Sequence, residues 1–112
     1  MKTLDIKPLT ANRAWNGRKR RTPEYKWYIK NLTRILPKLS VPLEGKLQVH
    51  YIFGVSSKLS DYDNPIKQFQ DVCAEFYGFN DRRIYRGIIE KIDVPKGKEF
   101  IKFKIEKWQK TL

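Results

Sequence analysis

A chain of 112 residues with one cysteine and a net charge of +12 fits a single small domain (residues 1–112), and it cannot form an internal disulfide or a cysteine-based zinc site. A hydrophobic fraction of 40% is enough to fold, and no apolar run is long enough to cross a bilayer. We therefore expect a cytoplasmic protein without a membrane partner. The positive charge favours a polyanionic partner, with nucleic acid ahead of a membrane surface because no basic amphipathic helix dominates.

The charge is unevenly distributed along the chain. Residues 1–46 carry 12 basic and 3 acidic side chains, and residues 82–112 carry 10 basic and 4 acidic ones. Residues 47–81, between them, carry 2 basic and 5 acidic side chains. A surface that serves only solubility mixes the two signs. This segregation instead suits a metal-holding site within a phosphate-binding surface.

The amino-terminal residues predict one strand followed by a basic loop. Leu4 and Ile6 alternate with polar residues, which predicts a strand over residues 3–8. Residues 9–21 predict a loop, whose candidate DNA contacts are Trp15, Arg18, Lys19, Arg20 and Arg21. We favour this interpretation over a merely solvated loop, because cations supply affinity for nucleic acid and an aromatic ring can stack on exposed bases.

A helix and a second strand come next. Thr22 and Pro23 predict the start of the helix, and Pro37 predicts its end. Its apolar face, suited to the core or to a dimer contact, comprises Tyr25, Tyr28, Ile29, Leu32, Ile35 and Leu36. Residues 46–55 predict a strand whose apolar face comprises Leu47, Val49, Tyr51 and Phe53. His50 is the only histidine and has no histidine or cysteine partner with which to bind a metal.

The acidic segment contains a second helix. Asn64 and Pro65 predict its N-cap and first residue, and Gly78 predicts its end. Its apolar face comprises Ile66, Phe69, Cys73, Phe76 and Tyr77. Lys67 falls in the first turn, where the helix dipole disfavours a cation, and Asp71 lies one turn further on the same face. This unfavourable charge indicates a functional site, although an acidic cap with a solvated lysine–aspartate pair explains the stretch equally well.

The carboxyl-terminal residues predict a turn and two strands. Residues 79–81 form the turn, and residues 84–94 and 99–108 form the strands, with a hairpin signal at residues 95–97. The resulting order β-α-β-α-β-β predicts an α+β domain with two main helices on a mixed sheet.

Four residues of this chain suit phosphodiester hydrolysis. Asp61 and Asp63 can bracket a metal if the chain kinks at the helix start, and Asp81 can close the site from the turn after the helix. Carboxylates without a histidine or thiolate favour Mg²⁺ or Mn²⁺, ions that activate water and stabilise the leaving oxygen. Lys67 can neutralise charge that develops on the phosphate.

These residues and their neighbours carry a resemblance to a known family. The positions are Asp61, Asp63, Asn64, Lys67, Asp71, Asp81, Arg82, Arg83, Ile84 and Lys91, with Pro8, Leu9, Thr10, Ala11, Asn12 and Trp15 nearer the amino terminus. In order and spacing they resemble the signature of the RusA family of Holliday-junction resolvases, over about residues 6–108. That signature has an aspartate pair ahead of a strand, and the chain departs from it at Asn80, where the first aspartate of the pair would stand.

The resemblance implies a RusA-like fold and a homodimeric endonuclease that uses Mg²⁺ or Mn²⁺ to nick four-way DNA junctions symmetrically, in DNA recombination and repair. It implies metal ligation by Asp61, Asp63 and Asp81 and a catalytic role for these three and Lys67. It also implies supporting roles for Asn64, Asp71 and Lys91, and DNA contacts by Asn12, Trp15, Arg82 and Arg83. Family members are commonly encoded by phages and prophages, so we expect the cytoplasm of a bacterium or of a phage-infected host cell.

Two other interpretations stay open. A nuclease-derived protein that binds branched DNA without cutting it needs only the basic segments, although the complete set of three candidate aspartates and Lys67 argues against it. A PD-(D/E)xK-type nuclease would use Asp63, Glu90 and Asp93. That motif requires a lysine two residues after its acid, and Asp93 does not supply one.

Overall fold

The computed structural model describes residues 1–17, 20–57 and 61–109, and its sheet is built around one central strand, β4 (Leu47–Val55). Side chains of a strand alternate between its two faces, and the apolar set Leu47, Val49, Tyr51 and Phe53 is fully buried on one of them. The prediction for this strand is therefore confirmed, and the core lies against this face.

The sheet is mixed and has four strands. Their order across the sheet is β1 (Lys2–Leu4), β6 (Phe100–Lys107), β4 and β5 (Ile84–Asp93). β4 pairs in parallel with β5 (Ile84–Asp93) and antiparallel with β6 (Phe100–Lys107). The short strand β1 (Lys2–Leu4) extends the sheet by pairing antiparallel with β6. Together with its helices this sheet confirms the predicted α+β class with two main helices.

The predicted hairpin between the last two strands is wrong. β5 and β6 lie on opposite sides of β4, so residues 95–97 turn the chain across the end of β4 instead of pairing two neighbours. The backbone N–H of Val94 donates to the carbonyl of Val55 at 2.9 Å, and Gly97 adopts the left-handed φ of 91° that the turn requires. The turn lies where the sequence predicts it. The two strands that it connects do not pair with each other, because each of them pairs with a different edge of β4.

Helix α2 (Pro23–Ile35) begins and ends as predicted. The Thr22 hydroxyl accepts from the backbone N–H of Tyr25 at 3.1 Å, and Pro23 occupies the first turn. Its buried face comprises Tyr25, Tyr28 and Leu32, with Leu36 just beyond the helix, whereas Ile35 is exposed. The predicted face is thus right at its centre and too wide at its end.

Helix α3 (Ile66–Tyr77) lies on the same sheet face. The Phe69 ring packs edge-on against Tyr51, Phe53 and Phe103, at centroid distances of 5.1, 6.1 and 5.4 Å. Gly78 ends the helix at a left-handed φ of 72°, as predicted. Because Phe69 faces the core, Lys67 is carried on the solvent side of the helix.

Two details of α3 differ from the prediction. Pro65, and not Asn64, is the N-cap, because residues 62–65 already form turns ahead of the helix. Phe76 is 41% exposed, so it does not belong to the core face. The buried residues of this helix are Gln68, Phe69, Val72 and Cys73.

The amino-terminal predictions also need correction. β1 ends at Leu4 and does not extend over residues 3–8. The segment predicted as a loop contains α1 (Ala11–Ala14) and the two-residue strands β2 (Trp15–Asn16) and β3 (Arg20–Arg21), which pair with each other. Elements this short carry no readable periodicity. Arg18 and Lys19, between the two strands, lie outside the described residues. None of the helices in the described part of the chain has the length and apolarity that spanning a membrane requires.

Candidate functional site

Lys67 stands between two carboxylates at the start of α3. Its Nζ donates to Asp71 Oδ1 at 2.7 Å and to Asp81 Oδ2 at 3.4 Å. Asp71 is one turn along the same helix, as the spacing predicted, whereas Asp81 comes from the turn that follows the helix. The structure therefore joins three of the sequence-predicted residues into one exposed cluster, which we call the lysine–aspartate site.

The lysine in this cluster is held in its charged form. Its hydrogen bond to Asp71 raises the pKa of Lys67, and Asp81 acts in the same direction. A lysine with a raised pKa is a cation throughout the neutral range. It can neutralise charge on a phosphate, and it is unsuited to act as a general base.

A buried tyrosine, Tyr51, contacts the helix that carries Lys67. Tyr51 donates its hydroxyl to Gln70 Oε1 at 3.0 Å, which fixes the solvent side of α3 over the sheet. Burial raises the pKa of Tyr51 well above its usual value, and the negative charge of Asp81 acts in the same direction. Tyr51 therefore remains a neutral hydrogen-bond donor to Gln70.

Asp81 begins a single 3₁₀ turn, Asp81–Arg83, that leads into β5. Asn80 is the N-cap of this turn, because its Oδ1 accepts from the backbone N–H of Arg82 at 2.9 Å. Asparagine caps a helical turn about as well as aspartate does. The departure from the family pattern at Asn80 thus preserves the local geometry that presents Asp81.

Asp61 and Asp63 lie ahead of α3 with exposed side chains. The Asp63 carbonyl accepts from the backbone N–H of Ile66 at 3.2 Å, which places Asp63 next to the first turn and near Lys67 in the chain. Within the described ranges, no three His, Cys, Asp or Glu side chains lie close enough together to hold a metal. The predicted ligand set of Asp61, Asp63 and Asp81 stays a prediction, although its all-oxygen chemistry fits Mg²⁺ or Mn²⁺.

Gln68 is a functional candidate that the sequence analysis missed. It is 1% exposed, and its Nε2 donates to the carbonyl of Asn64 at 2.7 Å and to that of Leu9 at 3.0 Å. It thereby fastens the turn that carries Asp63 to the amino-terminal segment. Its spacing from Val72, one turn apart, was the available signal that this side of α3 is buried.

The basic strand pair β2–β3 is held beside the site by Tyr25. The guanidinium carbon of Arg21 lies 5.5 Å from the Tyr25 ring centroid, and the Trp15 ring meets the same ring edge-on at 5.3 Å. A groove of about 180 Å³ is lined by both Arg21 and Asp71. Arg20 is exposed on the same strand pair. Of the predicted DNA-binding cations, Arg21 therefore lies next to the lysine–aspartate site, and Arg20 precedes it in the chain.

The other predicted residues are more widely spread. Asn12 lines a separate cleft of about 280 Å³ together with Asn64 and Pro65, at the start of α3. Lys91 is opposite Phe53 in the pairing of β5 with β4, and so belongs to the sheet face that α3 covers.

Arg83 stabilises the fold through hydrogen bonds to two backbone carbonyls. Its Nε donates to the carbonyl of Gly45 at 2.9 Å and its Nη2 to that of Pro42 at 2.6 Å. These bonds hold the segment that precedes β4, whereas Arg82 is exposed. Of the two arginines predicted to contact DNA, Arg82 is the one whose position suits that role.

No protein-family model matches this sequence, and no curated protein matches it significantly. The likeness to the RusA family therefore depends on the residues and spacings described above.

Proposed function

We propose that this protein is a structure-selective endonuclease that cuts four-way DNA junctions with Mg²⁺ or Mn²⁺. The observation that carries the proposal is Lys67, an ammonium bonded to Asp71 and Asp81 on an exposed surface. Cations border this surface on two sides, with Arg21 across the shared groove and Arg82 next to Asp81 in the chain.

Hydrolysis of a phosphodiester builds negative charge on the phosphate and on the leaving oxygen. Lys67 can meet the first of these charges, and its bond to Asp71 holds the ammonium in one place, so little reorganisation is needed during the reaction. Asp61, Asp63 and Asp81 would hold the metal, which when bound lowers the pKa of water and stabilises the leaving oxygen.

DNA would lie across the site from one basic surface to the other. A strand that contacts Arg20 and Arg21 at one end and Arg82 at the other passes Lys67 between them. Cutting a four-way junction requires two symmetric incisions, and a twofold dimer supplies two sites. We therefore include a homodimer in the proposal.

A protein that binds branched DNA without cutting it is the alternative. It is favoured by the exposed cations and aromatic rings, such as Arg20, Arg82 and Tyr85. Binding to a junction is common to both functions, so only cleavage distinguishes them.

The deciding experiment is a cleavage assay on a synthetic four-way junction, with a linear duplex of the same arm sequence as control. We expect paired nicks at symmetric positions in Mg²⁺ or Mn²⁺, no nicks in excess chelator, and an intact duplex. Tight binding of the junction without nicks under any metal condition would establish the binding-only alternative. Nicking that continues in excess chelator would exclude the proposed mechanism.

A further inference from the structure

A second surface next to the 3₁₀ turn combines exposed aromatic rings with cations. Tyr85 is 59% exposed, and its ring stacks with that of Trp108 at a centroid distance of 6.0 Å and an interplanar angle of 20°. Lys46 Nζ lies 4.6 Å from the Tyr85 centroid and 5.8 Å from that of Trp108. We call Lys46, Tyr85 and Trp108 the aromatic shelf.

The backbone fixes this arrangement. The pairing of β4 with β5 shifts between Leu47 and Gln48, so that Tyr85 is an extra residue without a partner on β4. Irregularities of this kind re-aim a side chain and are common beside functional sites. The backbone N–H of Trp108 donates to the Lys46 carbonyl at 2.9 Å, which places these two residues side by side.

The groove in front of the shelf is cationic. It has a volume of about 530 Å³ and is lined by Gly45, Lys46, Asn80, Arg82, Arg83 and Tyr85, none of them acidic. Lys46, over the Tyr85 ring, and the exposed Arg82 both line the groove. Because Asn80 and Arg82 flank Asp81, the groove adjoins the lysine–aspartate site.

We propose that the aromatic shelf binds an unpaired nucleotide of a DNA strand, with the base stacked on Tyr85 and the flanking phosphates bound by Lys46 and Arg82. Exposed rings beside cations bind single strands because every base offers a face for stacking, whereas bases in a duplex are already stacked on each other. In so far as this strand belongs to a junction, the inference rests on the proposed function. Junctions and their opened ends supply unpaired nucleotides, and the adjoining site would receive the same strand.

The test is binding of a fluorescently labelled twelve-residue oligothymidylate to the full chain, measured by anisotropy in the presence of chelator. We expect Tyr85→Ala to weaken binding by about 5- to 150-fold, the range found when one base loses its stacking partner. Tyr85→Phe keeps the ring and should retain wild-type affinity. The matched control is Trp27→Ala, since Trp27 is 60% exposed on α2 and away from the groove.

Lys46→Gln tests the phosphate contact separately. It should reduce the dependence of the logarithm of affinity on the logarithm of salt concentration by about 0.7, the value for one phosphate of a single strand. Equal affinities for Tyr85→Ala and Trp27→Ala would overturn the inference. So would a Tyr85→Ala protein that binds the oligonucleotide normally but no longer self-associates, because the shelf would then be a contact between copies.

The two proposals fail in different ways. If the protein binds oligothymidylate through Tyr85 but never nicks a junction, the proposed endonuclease activity is excluded and the proposed binding at the aromatic shelf is retained. If junctions are nicked and Tyr85→Ala has no effect on either oligothymidylate binding or nicking, the shelf is lost and the endonuclease stands.

Discussion

The lysine–aspartate site and the aromatic shelf meet at the 3₁₀ turn, but the lysine of each region has a different kind of partner. Lys67 is bonded to two carboxylates, whereas Lys46 rests on the rings of Tyr85 and Trp108. A cation compensated within the protein adds little to the attraction of distant phosphates, but it is well placed to respond when charge develops beside it. A cation that rests on aromatic rings instead attracts distant phosphates, but it is less well placed to respond when charge develops beside it. Under the two proposals, this difference suits the first region to chemistry and the second to affinity.

The two regions also share a mode of support. Gln68 donates to two backbone carbonyls beneath the site, one of them 59 residues away in sequence. Arg83 donates to two carbonyls behind the shelf, the further one 41 residues away. In each case one polar side chain fixes a loop to a regular element, so removing it should disturb one region and spare the other.

The largest effect is expected for Asp81→Asn, which keeps the shape of the site but removes a negative charge. Cutting should fall by about 10³-fold or more, because metal activation and charge stabilisation supply most of the rate. Oligothymidylate binding at the shelf should be unchanged. Single-turnover nicking of a four-way junction and anisotropy measure the two. Asp5→Asn, at an exposed aspartate just after β1, is the control, and normal nicking by folded Asp81→Asn would contradict the assignment.

Asp63→Asn extends this test to another of the three predicted metal ligands. If Asp63 is a metal ligand, the variant should lose cutting to a similar degree and bind junctions as well as the wild type or better, since a carboxylate beside the scissile phosphate repels it. A helix-cap role predicts only a loss of stability of about 1 kcal/mol and near-normal activity.

The limits of sequence reasoning follow from how local each feature is. Both long helices and strands β4 to β6 were predictable, because their periodicity and boundary residues lie within a few residues of each other. The hydrogen bond of Gln68 to Leu9 was not, since Leu9 is brought there only by folding. The aromatic shelf could not be predicted for the same reason, because Lys46, Tyr85 and Trp108 come from three separate parts of the chain. In the cluster of Lys67, Asp71 and Asp81, the pair of Lys67 and Asp71 was predictable from its helical spacing, but the contact of Lys67 with Asp81 was not.

The next largest effect is expected for Lys67→Ala. Loss of a positioned cation should lower the nicking rate by about 10²- to 10³-fold. Junction binding should weaken less than in Lys46→Gln, because Lys67 is already compensated by two carboxylates. An equal loss of binding in the two variants would remove the distinction between the regions.

The pH dependence of Lys67 sharpens the same point. Its bond to Asp71 raises the pKa of Lys67, so the stabilising contact is fully present below the ordinary lysine pKa and is lost only as pH rises through the raised value. Asp71→Asn should therefore move the alkaline limit of nicking to lower pH, and Glu75→Gln, on the same helix, should leave it in place.

A smaller effect is expected for Gln68→Leu. The substitution keeps the approximate volume but leaves the carbonyls of Leu9 and Asn64 without a donor, which should cost about 1–3 kcal/mol in the free energy of unfolding. Urea denaturation measures this loss. Because Gln68 supports the turn that carries Asp63, nicking by the folded fraction should fall while oligothymidylate binding persists. Equal losses of both would show that the two regions are not supported independently.

The smallest effects are expected at the two neighbouring arginines, which the sequence could not tell apart. Arg82→Ala removes an exposed cation, so it should lower the salt dependence of oligothymidylate binding by about 0.7 without changing stability. Arg83→Ala breaks the bonds to Pro42 and Gly45, so it should lower the urea midpoint and weaken binding only by loosening the segment that carries Lys46. Arg83→Lys keeps the charge but cannot span both carbonyls, and should behave as Arg83→Ala does. If Arg83→Lys instead restores both stability and binding, charge alone matters at this position, and Arg83 is a DNA contact like its neighbour.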